Sequence, residues 1–100
     1  MNMHLNNKQT RHLRSLAHNL KPVVLLGQHG LTEAVMNEIT LALNHHELIK
    51  IKLSGERDDR EKMGTRIVAA TKSTVIQKIG RMIVIFKRNS NQIKIELPKG

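Results

Sequence analysis

The segment Gly27-Gln28-His29-Gly30 has the residue types and order of a ligand-binding loop. Four apolar residues, 23–26, precede it as a predicted strand, and Thr32 follows it as the predicted N-cap of a helix. A glycine-framed loop at a helix N-terminus offers backbone N–H groups and the positive end of the helix dipole to an anion. The pattern therefore predicts a phosphate-binding loop. The alternative is that both glycines only permit a positive φ in a tight turn.

Two common nucleotide-binding loops do not fit this segment. A Walker loop requires Gly-Lys followed by Ser or Thr, whereas Thr32 is preceded by Leu31. A dinucleotide-binding fingerprint requires a further glycine, which the segment lacks. Nucleotide hydrolysis is therefore not expected at this loop.

The charged residues are segregated along the chain, which carries 17 Lys and Arg against 8 Asp and Glu and a net charge of +9. Residues 1–32 and 62–95 contain no acid, and residues 33–61 hold all but one of the acids. Such segregation favours a basic surface and indicates nucleic-acid binding. The alternative is a protein that is basic without a nucleic-acid partner.

The aromatic content restricts the mode of binding, because Phe86 is the only aromatic residue and is predicted to lie in the core. Recognition by base stacking on a sheet needs exposed aromatic side chains. The sequence therefore predicts recognition of the nucleic-acid backbone by Lys, Arg and loop amides.

No catalytic or metal-binding set is predicted. The chain has no cysteine, and the adjacent His45 and His46 would point about 100° apart on a helix. The acids cluster where helices are predicted to start, which capping explains. We expect no enzymatic activity, no cofactor and no small-molecule substrate.

Hydrophobic periodicity predicts an α/β fold of order α-β-α-β-α-β-β, with three helices and a four-stranded mixed sheet. The first predicted helix runs from a cap at Asn6 or Asn7 to about His18, and the second covers residues 33–46. The third begins at a cap at Asp58 or Asp59. The predicted strands cover residues 23–26, 48–53, 75–79 and 82–87, with a two-residue turn at Gly80-Arg81.

The pattern of apolar residues also predicts how these elements pack. The first strand is apolar throughout and is expected inside the sheet. The fourth strand is apolar at alternate and intervening positions alike, so both of its sides need cover and it is expected at the centre of the sheet. The second and third helices are expected on one face, with the first helix on the other. Residues 93–97 are read either as a short edge strand or as a loose tail.

Length and hydropathy predict a single domain over residues 1–97 with a short tail at 98–100. No apolar run reaches the length of a membrane span, and the first residues lack a signal-peptide core. A cytoplasmic protein is expected.

Three segments resemble a known family: residues 20–32 (LKPVVLLGQHGLT), 45–52 (HHELIKIK) and 79–88 (IGRMIVIFKR). They are similar to the bacterial single-domain, YhbY-type members of the CRM family, named for chloroplast RNA splicing and ribosome maturation. The resemblance implies a fold similar to the C-terminal domain of translation initiation factor three. It also implies binding of RNA, in bacterial members within precursors of the large ribosomal subunit.

The same resemblance implies that Gly27 to Gly30 is the family's Gly-x-x-Gly loop, likened to that of KH domains. Many relatives carry Lys or Arg at the two middle positions, where this chain has Gln28 and His29. The loop is therefore expected to act through its amides, with more distant bases supplying the attraction.

These observations lead to the hypothesis of a monomeric, non-enzymatic protein that binds ribosomal RNA. The loop amides of Gln28 to Gly30 would hold phosphates, and the Gln28 and His29 side chains would hydrogen-bond backbone or a base. A basic surface would surround them, formed by Lys21, Lys50, Lys52, Arg81, Lys87 and Arg88 and extended by Arg11 and Arg14. Two alternatives stay open: a module that docks on an acidic ribosomal protein or assembly factor, and a small enzyme acting on a phosphorylated ligand.

Overall fold

The computed structural model describes residues 4–99 and has the predicted order of elements. The helices are α1 (Asn7–His18), α2 (Glu33–His46) and α3 (Arg57–Thr71). The strands are β1 (Val24–Leu25), β2 (Leu48–Lys52), β3 (Thr74–Ile79) and β4 (Met82–Phe86). The α/β fold class is thereby confirmed.

The four strands form one mixed sheet in the order β1-β2-β4-β3. β1 pairs parallel to β2, and β4 is antiparallel to both β2 and β3. β4 is thus central, as predicted. The hairpin turn at Gly80-Arg81 folds β4 back between β2 and β3, so these two parallel strands are not neighbours.

The prediction that the first strand lies inside the sheet is wrong. β1 is an edge strand of two residues, and its Leu25 is 65% exposed while Val24 is buried. An apolar run indicates contact with apolar surroundings, but it does not specify strand order. Because β4 takes the second place beside β2, β1 keeps a single neighbour.

Each face of the sheet carries its own core. The core beneath α2 and α3 is built on the isoleucines of β2 and β4, with Ile39, Leu43 and Ile67 from the helices. The core beneath α1 contains Leu13 and Ala17 of that helix and the strand side chains that point to the other face of the sheet, including Phe86. The predicted placement of the helices on the two faces is confirmed.

The helix starts follow capping chemistry. Asn6 caps α1 in a reciprocal box with Gln9, and the Thr32 hydroxyl accepts from the Val35 N–H at 3.2 Å. The third helix starts earlier than predicted, with Glu56 as its N-cap. The Asp59 carboxylate accepts the Glu56 N–H at 3.2 Å from inside the first turn. An acid at the third helical position can accept the N–H of the N-cap residue, so an acid inside the first turn resembles a cap in the sequence, which explains the misplaced boundary.

Helix α3 lies close to the sheet at Gly64, since an added Cβ there would meet the Ile83 Cδ1 at 3.2 Å. A glycine in a helix interior costs about 1 kcal/mol relative to alanine. Here it permits the approach of α3 to β4.

The C-terminal segment is neither of the two alternatives predicted for it. Residues 93–97 form no strand, yet Ile95 and Leu97 pack against the core beneath α1. The Gln9 Nε2 donates to the Pro98 carbonyl at 3.1 Å. Within residues 4–99 no helix is long and apolar enough to cross a membrane.

Candidate nucleic-acid interface

The loop between β1 and α2 is a tight turn closed by its own backbone. The Gly30 N–H donates to the Gly27 carbonyl at 3.0 Å, and the Ser54 hydroxyl donates to the same oxygen at 3.2 Å. The Gly30 amide is therefore used inside the turn and is not free for a phosphate. The N–H groups of Gln28 and His29 have no partner in the described part of the chain, and both side chains are exposed.

The two glycines of the loop have different roles. Gly30 has a φ of +67°, and a Cβ there would lie 3.3 Å from the Met63 Cε, so this position needs glycine for the turn. Gly27 has no such need, because an added Cβ would meet nothing within 4 Å. Gly27 leaves open space beside the loop, into which a ligand can approach the backbone.

The loop borders a cavity of about 560 Å³ shared with the segment that joins β2 to α3. The far wall is formed by Ser54, Gly55, Asp59 and Met63. Asp59 is an acid, so the attraction for an anion must come from bases elsewhere. Two of the predicted bases lie at the same end of the sheet: Lys52, at the end of β2, and Arg81, whose carbonyl accepts the Leu53 N–H at 2.7 Å.

The other predicted bases lie farther from the loop. Lys50 is half-buried in the middle of β2 and shares a groove with Lys21. Arg11 and Arg14 are exposed on α1, where the Arg14 Nε also donates to the Ile76 carbonyl at 3.0 Å. Lys87 follows β4 at the end opposite the loop.

The exposed acids are concentrated on one side of the sheet. α1 contains no acid, and Lys50 and Lys52 point to the same side as α1, because they alternate with Ile49 and Ile51 of the other core. The opposite side holds most of the exposed acids, on or beside α2 and α3: Glu33, Glu38, Glu56, Asp58, Asp59 and Glu61. Glu96 in the C-terminal segment is the exposed acid beside α1.

Arg88 belongs to a buried centre that the sequence did not reveal. Its guanidinium lies 3.2 Å from the Glu47 carboxylate, 2.7 Å from the Ile95 carbonyl and over the Phe86 ring. The Glu47 side chain is fully buried and that of Arg88 is 20% exposed. Arg88 therefore holds the fold together, and its Nη1 is directed inward.

The Glu47 carboxylate organises the C-terminal segment. It accepts the backbone N–H groups of Asn89, Lys94 and Ile95 at 2.7, 2.7 and 2.8 Å. Glu47 itself has a φ of +63°, an unusual conformation for a non-glycine residue at the end of α2. In the sequence Glu47 is a single acid between His46 and a predicted strand. Its hydrogen-bond partners lie more than forty residues away, so no local sequence pattern indicates them.

The protonation of Glu47 gives a pH-dependent stability. Burial by itself would raise the pKa of Glu47, but the three backbone N–H groups and the Arg88 guanidinium outweigh burial and lower the pKa. A lowered folded-state pKa adds stability above the unfolded pKa, and this stability is lost as the pH falls through the folded value. We expect urea midpoints to fall as the pH drops below about 4.3, the pKa of a free glutamate. Glu47→Gln should flatten this part of the profile, and an unchanged profile in the variant would contradict the assignment.

Three further bases lie near the loop end of the sheet and were not predicted. Arg57, Arg60 and Lys78 line a cleft of about 310 Å³ that reaches Gly80. Two of them already have partners, since Arg60 donates to the Gly55 carbonyl at 2.9 Å and Lys78 pairs with Glu61 at 3.1 Å. The prediction that the third helix starts after Arg57 places this residue in a loop. The helical spacing of Arg57 and Arg60 was therefore not predicted.

The exposed histidines at the end of α2 do not form a metal centre with their neighbours. The rings of His45 and His46 are 6.2 Å apart and tilted. Among residues 4–99, no three His, Cys, Asp or Glu side chains are grouped so as to hold an ion.

Comparison with known proteins agrees with this architecture. The chain is 48% identical over 96 residues to an RNA-binding protein of Haemophilus influenzae, covering 95% of this chain and 96% of the relative. It is 36% identical to YqeI of Bacillus subtilis, named a probable RNA-binding protein, over 94% of this chain and 99% of the relative. The solution structure of SAV1595 from Staphylococcus aureus superposes with a TM-score of 0.78 at 40% identity, over 95% of this chain and all of that one.

The sequence profile of the CRS1 / YhbY (CRM) domain matches residues 5–87, which contain all seven helices and strands described above. The chain belongs to the CRS1 / YhbY (CRM) domain family.

Proposed function

We propose that this protein binds ribosomal RNA in precursors of the large ribosomal subunit and acts in their assembly, as a non-enzymatic monomer in the cytoplasm. The observation that carries the proposal is the concentration of exposed acids on one side of the sheet. An acid-free α1 and the lysines of β2 share one side, and most of the exposed acids lie on the other. A polyanion bound on the α1 side avoids most of the repulsion from the acids.

In this proposal the loop positions the RNA, and the basic side chains supply most of the attraction for it. The N–H groups of Gln28 and His29 are available to phosphate oxygens, and the His29 side chain can hydrogen-bond a ribose or a base edge. Lys52 and Arg81 at the same end, with Lys50 and Lys21 farther along the face, supply the electrostatic attraction. Relatives named as RNA-binding proteins support this assignment.

Gly27 tests the close approach of RNA to the loop. Because a Cβ at this position meets nothing within 4 Å, Gly27→Ala should leave the melting temperature unchanged and weaken RNA binding, measured by filter binding. Gly30→Ala is the contrasting variant, since a side chain at φ +67° costs about 1–2 kcal/mol of stability. Wild-type affinity in folded Gly27→Ala would remove this face of the loop from the interface.

Crosslinking in living cells tests the identity of the RNA. Ultraviolet crosslinking followed by sequencing should recover large-subunit ribosomal RNA at a defined site. The triple variant Lys21→Gln/Lys50→Gln/Lys52→Gln, expressed at the same level, should lose that signal. Recovery of unrelated RNA without enrichment of large-subunit RNA would contradict the ribosomal assignment, and recovery of no RNA would contradict RNA binding altogether.

A further inference from the structure

One exposed surface has a chemistry that binding to an RNA backbone does not use. Leu16 in α1, Leu20 just beyond it, Val23 just before β1 and Leu25 in β1 are 39%, 36%, 45% and 65% exposed. We call these four residues the aliphatic strip. Exposed apolar patches with a polar rim are typical of protein-interaction sites.

The strip has depth as well as area. Leu16, Leu20 and Val23 line a groove of about 470 Å³, to which Leu48, Ile49 and Ile95 also contribute. Val23 and Leu25 are two residues apart on a strand, so their side chains lie on the same side of the sheet, and Leu25 extends the apolar surface beyond the groove. Ile95 is held in this wall by its N–H bond to Glu47.

The charged side chains that line the groove are basic. Lys21, Lys50 and His46 line the groove, and Lys52 lies beside Leu25 in the register of β1 and β2. No acidic side chain lines this groove. An occupant therefore needs an apolar surface that fits between flanking carboxylates.

Single-stranded RNA is a weaker match for this surface. Bases bind protein surfaces mainly by stacking on aromatic rings, and the one aromatic residue, Phe86, is buried. A second copy of this chain is also a weaker match. In the described structure its α3 carries four bases against three acids and no exposed large apolar side chain, and its α2 has a single one, Leu41.

We propose that the aliphatic strip docks an amphipathic helix of a protein partner, with an apolar face flanked by Asp and Glu. Helix-in-groove recognition places apolar anchors at i, i+3, i+4 and i+7 in such a groove. The carboxylates on either side of those anchors pair with Lys21, Lys50 and Lys52. Docking of this kind goes beyond the proposed RNA binding and does not depend on it.

A designed peptide tests the recognition chemistry. The probe is a fluorescent amphipathic helix of about 18 residues, or five turns, with a Leu face flanked by Glu. The purified protein should bind it saturably, and Leu25→Ser should raise the Kd roughly tenfold. Leu41→Ser is the matched control, because Leu41 is 60% exposed on α2, on the other side of the sheet, and should bind the probe like the wild type. Equal binding of a peptide with Lys in place of Glu, or equal effects of the two substitutions, would overturn the proposal.

Photo-crosslinking in cells tests the natural occupant. A photoreactive residue placed at Leu25 should crosslink to a protein segment whose mapped sequence is an acidic amphipathic helix, and the same residue at Leu41 should not. Adducts with RNA, with a second copy of this chain, or with segments lacking that pattern would overturn the proposal, as would the absence of any adduct. The affinity of Leu25→Ser for RNA should stay within about twofold of the wild type, because none of the four residues of the strip carries a charge that could pair with phosphate. A larger loss would assign the strip to the RNA site instead.

Discussion

Glu47→Ala should be the most destabilising single substitution at a charged residue of this protein. It removes the one carboxylate that accepts three backbone N–H groups and faces the Arg88 guanidinium. Breaking a buried ion pair from one side leaves the other charge uncompensated and costs about 3–5 kcal/mol. For a domain of this size the loss corresponds to a fall in melting temperature of roughly 12–40 °C. Thermal and urea denaturation measure it.

Two further variants show how much of this loss of stability comes from the buried position of Glu47 and how much comes from its ion pair with Arg88. Glu38→Ala removes an exposed acid from the same helix and should change stability by less than about 0.5 kcal/mol. Arg88→Met removes one partner but leaves the three backbone donors on Glu47, so it should cost less than Glu47→Ala. A Glu47→Ala variant as stable as Glu38→Ala would show that the carboxylate does not hold the C-terminal segment.

The triple variant Lys21→Gln/Lys50→Gln/Lys52→Gln should lose most of the RNA affinity under the proposed function. Each phosphate contact with a single strand contributes about 0.7 to the slope of log affinity against log salt. Three lost contacts should therefore reduce the slope by about 2 and weaken binding roughly 100-fold at 0.1 M salt. Titrations of a large-subunit ribosomal RNA fragment at several salt concentrations measure both quantities.

A charge-matched control distinguishes a defined interface from net charge alone. Lys62→Gln/Arg66→Gln/Lys72→Gln removes the same three charges from exposed positions on and just beyond α3, on the other side of the sheet. This variant should keep most of the affinity and most of the salt slope. Equal losses in the two triple variants would mean that RNA responds to the total charge of the protein and that the α1 side is not its binding face.

The local features of this protein were predictable because they depend on neighbours in the chain. The caps at Asn6 and Thr32 bond to residues three positions away, and the helical and strand periods follow from side chains a few residues apart. The central place of β4 was also predictable, because a strand that is apolar at both parities needs cover on both faces. Where several acids competed for one role, as at the start of α3, the sequence did not single out Glu56.

The segregation of bases and acids along the chain was visible in the sequence, as was the glycine-framed loop. Their positions in space depended on strand order, since the return of β4 between β2 and β3 sets which bases meet at the loop end. The same order brings Lys52 and Arg81 to that end and leaves Lys87 and Arg88 at the other.

The sequence by itself determined the elements, their order and the basic character of the chain, because these follow from short-range periodicity and composition. The tertiary structure alone decided that β1 lies at an edge and that Arg88 faces a buried carboxylate. The physical reason is that strand pairing and the bonds between Glu47 and its partners join residues far apart in the chain. A contact of that kind leaves no periodic signal in a single sequence, and it forms only when the sheet brings the two segments together.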